Sequence, residues 1–453
     1  MSSKSHEMDL CSGSLWKKIF VYSVPLMFTN ILQVLFNMSD VAVVGKFAGA
    51  IALGAVGSTS ILVTLFTGIL LGLASGVNAL TALHIGSKDD EGLKRTVHTA
   101  VIICLAGGIL ITVFGILFSH NILALMNTKD ELIDGAVLYL RIYLLGMPAL
   151  GLYNFGNAVL SAAGDTKRPL YYLAFAGVVN VILNLFFVIV CHLGVAGVAL
   201  ASMISQFISA FLILRALLTG KEKYCLRLSE IRFDKRKAVG ILQIGIPSAF
   251  QYSLFAFANL FVQSSVNSFD HVLVEGNSAA ANAVPLVYDR MAAFYTACSS
   301  FIAQNFGSRK KKRILQTYLI CLFYSFITSL VLGVGIYLAR YPFLYLFTSD
   351  KAVVEAGITR LSIMALSYSA SAFMDASIAA SRGLGKTAVP TFVVVMGSCV
   401  FRIIWIYTIF AYFHTIQSLY ILYVFSWGIT AIAENIYFFH VYRHTLTEKK
   451  ELC

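Results

Sequence analysis

The chain has few charged residues for its length. Only 12% of its 453 residues are Asp, Glu, Lys or Arg, and its mean hydropathy is +0.80. A soluble domain carries about 25% charged residues, which cover the surface that faces water. This scarcity of charge excludes a water-soluble protein of this size, so lipid must be the solvent for most of the chain.

Signatures of enzymes and metal proteins are also missing. The eight cysteines form no CxxC pair, and small apolar packing is their expected role. His440 and His444 lie four residues apart but lack a third ligand, so we expect no metal site. There is no phosphate-binding loop, nucleophile elbow or metalloprotease motif. The sequence therefore predicts neither an enzyme nor a cofactor, and H⁺ or Na⁺ is the expected coupling ion.

Long apolar runs fill most of the chain. Because a helix needs about 20 apolar residues to cross a bilayer, runs of this kind mark membrane spans. No small-residue cleavage site follows the first run, so we expect it to stay in the mature protein. The sequence predicts an all-α integral membrane protein with twelve transmembrane helices, near 15–40, 51–84, 93–118, 131–160, 169–191, 194–218, 237–268, 276–306, 313–340, 352–381, 389–413 and 417–442.

The net charge of +12 is distributed unevenly between the predicted loops. The odd-numbered loops hold only Lys46, Lys129, Arg340 and Lys351, whereas the even-numbered loops and the chain ends are rich in Lys and Arg. The positive-inside rule then places both termini in the cytoplasm. It also explains the basic pI without nucleic acid, and it predicts a multi-pass protein of the cell membrane.

Two halves of the sequence follow one plan, offset by about 221 residues. Pro25 matches Pro247, and the tripeptide 86–88 (GSK) matches 307–309 (GSR). Similarly, 164–169 (GDTKRP) matches 385–390 (GKTAVP). With six helices each, both halves begin on the same side, so the repeats are parallel and suit alternating access. The predicted domains are two six-helix lobes, 1–218 and 237–453, joined by a cytoplasmic linker, 219–236.

Polar side chains inside the first lobe form a candidate ion site. Helix 1 carries a stripe on one face, composed of Asn30, Gln33, Asn37 and Asp40. Helices 5 and 6 each carry a polar pair one turn apart, namely Asn180 with Asn184 and Ser202 with Gln206. The stripe and pairs can be a helix-to-helix hydrogen-bond network, or a cavity wall with one titratable group, Asp40. On the second interpretation, Asp40, Asn180, Asn184 and Ser202 bind the coupling proton or ion.

The second lobe offers a less ordered set of polar residues. Ser371 and Asp375 share one face of helix 10, and Gln251 lies on a looser polar face of helix 7 with Asn259. We predict that Gln251, Ser371 and Asp375 line the substrate cavity, together with Asn30, Gln33, Asn37 and Gln206 of the first lobe. Of the remaining charges, Asp289 and Arg290 are expected to pair with other helices, and Arg402 with Glu434 as a structural ion pair.

Four segments carry a resemblance to a known family. They are 25–45 (PLMFTNILQVLFNMSDVAVVG), 160–169 (LSAAGDTKRP), 304–307 (QNFG) and 381–390 (SRGLGKTAVP). Through them the sequence resembles the multidrug and toxic compound extrusion (MATE) transporters over nearly its whole length. The resemblance implies a V-shaped pair of six-helix lobes that exports amphipathic, often cationic, compounds by H⁺ or Na⁺ antiport.

The resemblance also implies which residues form the site. In one branch of the family a carboxylate on helix 1 and polar groups on helices 5 and 6 form the coupling site, which matches Asp40, Asn180 and Ser202. Asn184 departs from that branch, where a second Asp is common. The sodium-coupled branch has a Glu near the position of Phe255 and an Asp near the position of Ser371. This chain has no acid at either position, which favours coupling to protons.

The leading hypothesis is therefore an H⁺-coupled exporter of small amphipathic cations, in contact with lipid and without an obligate protein partner. A lipid-linked saccharide flippase is the alternative, although its pyrophosphate needs several cations in one cavity. The spans hold only Arg141, Arg290, Arg360 and Arg402, and no two share a helix face. A passive channel is a weaker third hypothesis, since a repeated two-lobe plan suits alternating access.

Overall fold

A computed structural model describes residues 8–445, apart from the side chain of Ala256. All regular elements in this range are helices, as the apolar runs predict. Two of the predicted spans are each made of two helices, which we label a and b. The helices of the first half are α1 (Leu15–Ala48), α2 (Ala50–Ser87), α3 (Asp90–Leu125), α4a (Asp130–Leu144), α4b (Met147–Ala162), α5 (Lys167–Val190) and α6 (Gly194–Thr219).

The second half repeats this order of long helices. A 3₁₀ turn at Leu228–Glu230 precedes it, and a short helix at Arg340–Tyr345 lies between α9 and α10. The long helices of this half are α7 (Lys235–Val266), α8a (His271–Ala281), α8b (Ala283–Gly307), α9 (Lys311–Leu338), α10 (Lys351–Gly383), α11 (Ala388–Phe413) and α12 (Ile416–His444).

Within residues 8–445, ten helices are long and apolar enough to cross a membrane, and α4a with α4b forms an eleventh span bent by 45°. The remaining predicted span corresponds to α8a and α8b, which are separated at Asn282. Asp289 and Arg290 lower the hydropathy of α8b. Several helices also extend beyond their predicted ends, because polar turns at a helix end are invisible to hydropathy.

Aspartates cap several of these helices at their polar ends. Gly92 N–H donates to Asp89 at 2.9 Å at the start of α3, and this bond lowers the pKa of Asp89. Asp350 caps α10 through Ala352 N–H at 2.7 Å. Each cap satisfies a backbone donor that the first turn of a helix leaves unpaired. The caps explain why α3 and α10 begin where they do.

The backbone repeats the internal symmetry of the sequence. Lys88 ends α2 with a φ of 58°, and the matched Arg309 follows α8b with the same φ. Gly164 and Gly385, also matched, have φ values of 89° and 74°. Helices often end at a residue in the left-handed backbone conformation. Residues other than glycine adopt this conformation rarely. The two halves therefore share turn geometry as well as helix order.

The chain packs into two compact units that do not follow chain order. Within residues 8–445, the first comprises Met8 and Asp9 with Phe28–Ala249, and the second comprises Leu10–Met27 with Phe250–Thr445. The division crosses α1 and α7 two residues after Pro25 and Pro247, the prolines inside these helices. The predicted lobe limits at 218 and 237 stay a prediction.

The connection between α6 and α7 belongs to the first unit and packs against its helices α3 and α5. Tyr224, Cys225 and Leu226 are buried there, and Arg168 Nη2 donates to the Tyr224 hydroxyl at 3.1 Å. Further along, Asp234 N–H donates to Thr99 Oγ1 at 3.1 Å. These contacts hold the connection against the helices of the first unit.

Candidate functional site

Asp40 lies at the centre of a buried polar cluster in the first unit. Asn184 Nδ2 donates to Asp40 Oδ1 at 2.5 Å, and Ser202 Oγ donates to Asp40 Oδ2 at 2.8 Å. Asn184 Nδ2 also donates to Asn180 Oδ1 at 3.2 Å, and Asn180 Nδ2 to Ser202 Oγ at 3.4 Å. The structure thus brings together all four residues that the sequence singled out for ion coupling. We call them the Asp40 cluster.

The Asp40 cluster is enclosed and contains no positive charge. All four side chains are buried, and Asn184 is fully inaccessible. Among residues 8–445 Asp40 forms no ion pair. Tyr139 and Tyr143 on α4a lie close enough to interact electrostatically with Asp40. A carboxylate is therefore held in the membrane by neutral donors alone.

Both helices that carry the amide and acid groups widen into π turns beside the cluster. One π turn, Val44–Ala48, begins four residues after Asp40 on α1, and another, Phe186–Val190, begins two residues after Asn184 on α5. π turns are rare and are frequent at functional sites. No sequence pattern predicted these π turns beside the cluster.

The chemistry of the cluster suits a proton or a small cation. Its oxygens are a carboxylate, two amides and one hydroxyl. The buried Asn184 Oδ1 accepts no hydrogen bond from the part of the chain that the structure describes. An unpartnered buried oxygen is costly, so it marks a place where a proton, water or ion can bind. The described residues contain no group of three or more His, Cys, Asp or Glu suited to a metal ion.

The other predicted residues of the first lobe lie in different surroundings. Gln33 and Asn37 are exposed on α1, and Asn30 is half-buried. The Gln206 side chain on α6 lies beside Tyr143, and its buried Oε1 accepts no hydrogen bond from the described residues. The stripe on α1 therefore runs from an accessible surface at Gln33 and Asn37 to the enclosed Asp40.

In the second unit, two buried acids stand close enough to interact electrostatically. They are Asp375 on α10 and Glu434 on α12. Asp375 Oδ2 and both oxygens of Glu434 are buried, and no donor among residues 8–445 bonds to them. Of the other predicted cavity residues, Gln251 is buried on α7, and Ser371 donates to the backbone oxygen of Tyr368 at 2.8 Å.

The predicted ion pair between Arg402 and Glu434 is wrong. Arg402 Nη1 donates instead to Asn259 Oδ1 at 2.9 Å, and its Nε to Ser426 Oγ at 3.3 Å. Ser426 and Glu434 lie two turns apart on α12, a separation of about 12 Å. One arginine cannot contact both positions, and the sequence did not show which of them faces α11.

The expectation that Arg290 pairs with another helix is also wrong. Its Nη1 donates to the backbone oxygen of Pro285 at 2.8 Å, within α8b itself. The acceptor lies five residues before Arg290 on the same helix, so the long arginine side chain reaches it without leaving α8b. Arg290 therefore bonds to a backbone carbonyl of its own helix.

The aromatic residues around Asp40 and Asp375 were not identified from the sequence. Tyr139 and Tyr143 lie beside Asp40, and Tyr288 and Tyr295 lie beside Asp375. The first pair is spaced four residues apart and hence shares one helix face. That spacing was visible in the sequence, but nothing in it indicated that this face meets Asp40.

Comparison with known proteins supports the resemblance seen in the sequence. The family model MatE matches the chain twice, over residues 25–186 and 247–408. The second match is displaced by 222 residues (247 minus 25), which confirms the internal repeat.

Two relatives from Bacillus subtilis (strain 168) are similar to the chain. "Probable multidrug resistance protein YpnP" is 31% identical over 307 residues, which is 68% of each chain. "Probable multidrug resistance protein YoeA" is 28% identical over 364 residues, which is 78% of each. A solved structure, a MOP superfamily transporter from Pyrococcus furiosus, has a TM-score of 0.91 and 22% identity, covering 99% of this chain and 100% of its own.

The relatives and the double family match agree with the helices described above. The fold is the all-α membrane fold of twelve helices in two six-helix lobes that the apolar runs and the repeat predict. With the family match spanning both repeats, the chain belongs to the MATE family of multidrug efflux transporters, which are membrane transporters and not enzymes.

Proposed function

We propose that the protein is a secondary active antiporter that exports amphipathic, cationic organic compounds in exchange for H⁺ by alternating access. The single observation that carries the proposal is Asp40, a buried carboxyl group held only by neutral donors on α5 and α6. An ionisable side chain inside a membrane span is costly and usually serves transport. Asp40 is the place where the chain can exchange one charge.

A proton suits this cluster better than Na⁺. One carboxylate is sparse for a hard cation, which prefers several oxygen ligands with negative charge. A proton on Asp40 removes the only formal charge of the cluster, and its four side chains can then share neutral hydrogen bonds. Asn184 and Ser202 already point their donors at the two carboxylate oxygens, so they stabilise the ionised form after the proton leaves.

The second unit supports cationic cargo. Asp375 and Glu434 place two acids in a region where no hydrogen bond occupies three of their four oxygens. An organic cation is attracted by such acids, and aromatic side chains such as Tyr288 and Tyr295 can contact its apolar parts. The names of the two Bacillus relatives, both probable multidrug resistance proteins, are consistent with a broad range of cargo.

The proposed location is the cell membrane, with both termini in the cytoplasm. The uneven distribution of Lys and Arg supports this orientation. Lipid is then the solvent of the helices, the small-molecule cargo is the partner, and no obligate protein partner or cofactor is needed.

The decisive experiment measures export of rhodamine 6G, a fluorescent organic cation, in vesicles that contain the full chain. A proton gradient is imposed with and without Na⁺, and wild type is compared with Asp40→Asn at matched expression. Asp130→Asn is the control, because Asp130 is an exposed acid at the start of α4a. We expect proton-driven export in wild type and Asp130→Asn, and a loss of about tenfold or more in Asp40→Asn.

The other outcomes contradict parts of the proposal. Export that follows a Na⁺ gradient rejects proton coupling, and export that survives in Asp40→Asn moves coupling to Asp375 and Glu434. No export of any organic cation rejects the antiporter, and an assay of lipid-linked saccharide translocation then tests the flippase.

A further inference from the structure

Arg402 carries a positive charge in the middle of a membrane span without an acid beside it. It lies about 21 Å along α11 from the first residue and about 16 Å from the last, at a rise of about 1.5 Å per residue. Its side chain is only 1% exposed. In the part of the chain that the structure describes, no carboxylate lies within ion-pair distance of it.

The donors of Arg402 are only partly used. A guanidinium has five N–H donors, and two of them bond to Asn259 Oδ1 and Ser426 Oγ. Within residues 8–445, Nη2 donates to no atom. The guanidinium carbon lies 4.5 Å from the centroid of the Tyr423 ring. The Tyr423 hydroxyl also donates to Asn259 Oδ1 at 3.4 Å. The partners are all neutral, so the charge stays uncompensated.

The helix is locally reshaped around Arg402. α11 forms a π turn at Val395–Val400, returns to α geometry at Phe401–Trp405, and forms a second π turn at Ile406–Phe410. Two π turns within one span are unusual, and such turns are frequent at functional sites. Arg402 lies in the five-residue α-helical segment between them.

One edge of this arrangement is accessible. Asn259 is exposed and Tyr423 is half-buried, although the arginine between them is enclosed. Trp427 packs against Tyr423 with ring centroids 5.5 Å apart, and against Tyr368 at 5.9 Å. A second arginine, Arg360, lies over the ring of Tyr420, one turn before Tyr423 on α12. Aromatic faces and positive charge therefore adjoin the free donors.

We propose that Arg402 binds the oxyanion of an amphipathic substrate, a carboxylate or phosphate group, while the rings of Tyr423 and Trp427 contact its apolar part. The inference deepens the proposed export function, on which it rests, by extending the cargo to zwitterions and organic anions. An uncompensated charge in the span is costly, and an oxyanion supplies the missing counter-charge with bonds to the free N–H groups. The depth of Arg402 disfavours a lipid headgroup, since headgroups lie near the helix ends.

The test uses two dyes that differ only in one carboxylate, rhodamine B and its ethyl ester. Their binding to the purified full-length protein in detergent is measured by fluorescence anisotropy. The variants are Arg402→Gln, which keeps donors for Asn259 and Ser426, and Arg402→Lys, which keeps the charge. Arg340→Gln is the control, because Arg340 also lies over tyrosine rings (Tyr337 and Tyr341) but outside the spans.

We expect Arg402→Gln to weaken the binding of rhodamine B by about tenfold or more and to leave the ester unchanged. Arg402→Lys should restore most of the affinity, and Arg340→Gln should resemble wild type. Inorganic phosphate should compete with rhodamine B and not with its ester in wild type, a comparison that needs no variant to fold.

Four results would overturn the inference or the proposed function on which it rests. An equal loss of both dyes in Arg402→Gln makes Arg402 structural, and unchanged binding of rhodamine B in that variant removes Arg402 from recognition. If phosphate competes with neither dye, there is no oxyanion site. Failure of the protein to bind or export any rhodamine, the ester included, contradicts the proposed function itself and not only this inference.

Discussion

At the scale of single residues, Asp40 in the first unit differs from Asp375 and Glu434 in the second unit in the hydrogen bonds that its oxygens accept. Asp40 has both oxygens occupied by Asn184 and Ser202. Glu434 has neither oxygen occupied, and Asp375 has one free. The oxygens of Asp40 are thus bonded by donors of its own unit, whereas Asp375 and Glu434 keep acceptor oxygens that a positively charged group can use.

The bond from Asn184 to Asp40 can be tested by removing the donor. Asn184→Ala should reduce proton-driven export by about tenfold, because a hydrogen bond to a charged group contributes roughly 1.5–3 kcal/mol. Asn184→Gln keeps an amide but displaces it, so it should show a smaller loss. The measurement is the initial export rate in vesicles at matched expression. A rate unchanged in Asn184→Ala would show that Ser202 alone supports Asp40.

The acids of the second unit predict selectivity for charge. Asp375→Asn should weaken export of an organic cation by about tenfold and leave a neutral amphiphile of similar size unaffected. Export of the two compounds is compared in the same vesicles, with Asp350→Asn as a control because Asp350 caps α10 at its exposed end. An equal loss for both compounds would make Asp375 a structural residue.

At the scale of elements, caps and turns define where the helices begin and where they change geometry. Asp234 caps α7, since its Oδ1 accepts from Arg236 N–H at 2.9 Å and Lys237 N–H at 3.2 Å. The hydrogen bond from Lys237 N–H is the main cause that lowers the pKa of Asp234. The hydrogen bond from Arg236 N–H and the charge of Arg95 lower this pKa further. Because Asp234 also donates its N–H to Thr99, the cap joins α7 to the start of the first unit's α3.

Removing this cap should loosen the start of α7. Asp234→Ala is expected to cost about 1 kcal/mol locally, which corresponds to roughly fivefold faster hydrogen exchange of the first α7 amides. Asp350→Ala is the matched control, since it should loosen the start of α10 and leave α7 unchanged. Equal exchange in Asp234→Ala and wild type would show that the contacts of the linker hold α7 without the cap.

The lowered pKa of Asp234 also gives this effect a pH dependence with a defined sign. The ionised cap protects α7 fully above the ordinary Asp pKa of about 4, and this protection is lost as the pH falls through the lowered pKa. Asp234→Asn lacks the charge at every pH. The difference in exchange between wild type and Asp234→Asn, corrected for intrinsic rates, should therefore be constant near neutrality and shrink in acid. A difference that grows in acid contradicts the assignment.

At the scale of the whole molecule, the repeat and the loop charges specify how the chain crosses the membrane. The family model matches both halves, and the matched turns at Lys88 and Arg309 have the same φ. Each half has an even number of spans, so both halves start on one side. The Lys and Arg content of the even loops predicts that this side is the cytoplasm.

Labelling of single cysteines tests this orientation. Cys191 is exposed between α5 and α6, and Lys221 is exposed in the linker. In a chain without other cysteines, a membrane-impermeant maleimide should label Cys191 in intact cells. It should label Lys221→Cys only after the cells are permeabilised. The reverse pattern would place the termini outside and reject the predicted topology.

Most of the fold could be predicted from the sequence, whereas the site could be predicted only in part. The residues of the Asp40 cluster were found because polar groups in an apolar span are conspicuous and repeat along helix faces. The partner of Arg402 was predicted wrongly, because both it and Glu434 are buried charges and the sequence does not give their depth along neighbouring helices. The tyrosines beside Asp40 and Asp375 were missed, since aromatic residues are common throughout the spans.

The sequence by itself determined the helical membrane class, the number of spans and the repeat. Backbone groups in lipid must bond within their own helix, so an apolar run of sufficient length has one possible structure. Only the tertiary structure decided which faces meet, and therefore that Asn184 and Ser202 share Asp40 while Arg402 stays without an acid. These contacts depend on the rotation and depth of each helix against its neighbours, which are set by packing between segments far apart in the chain.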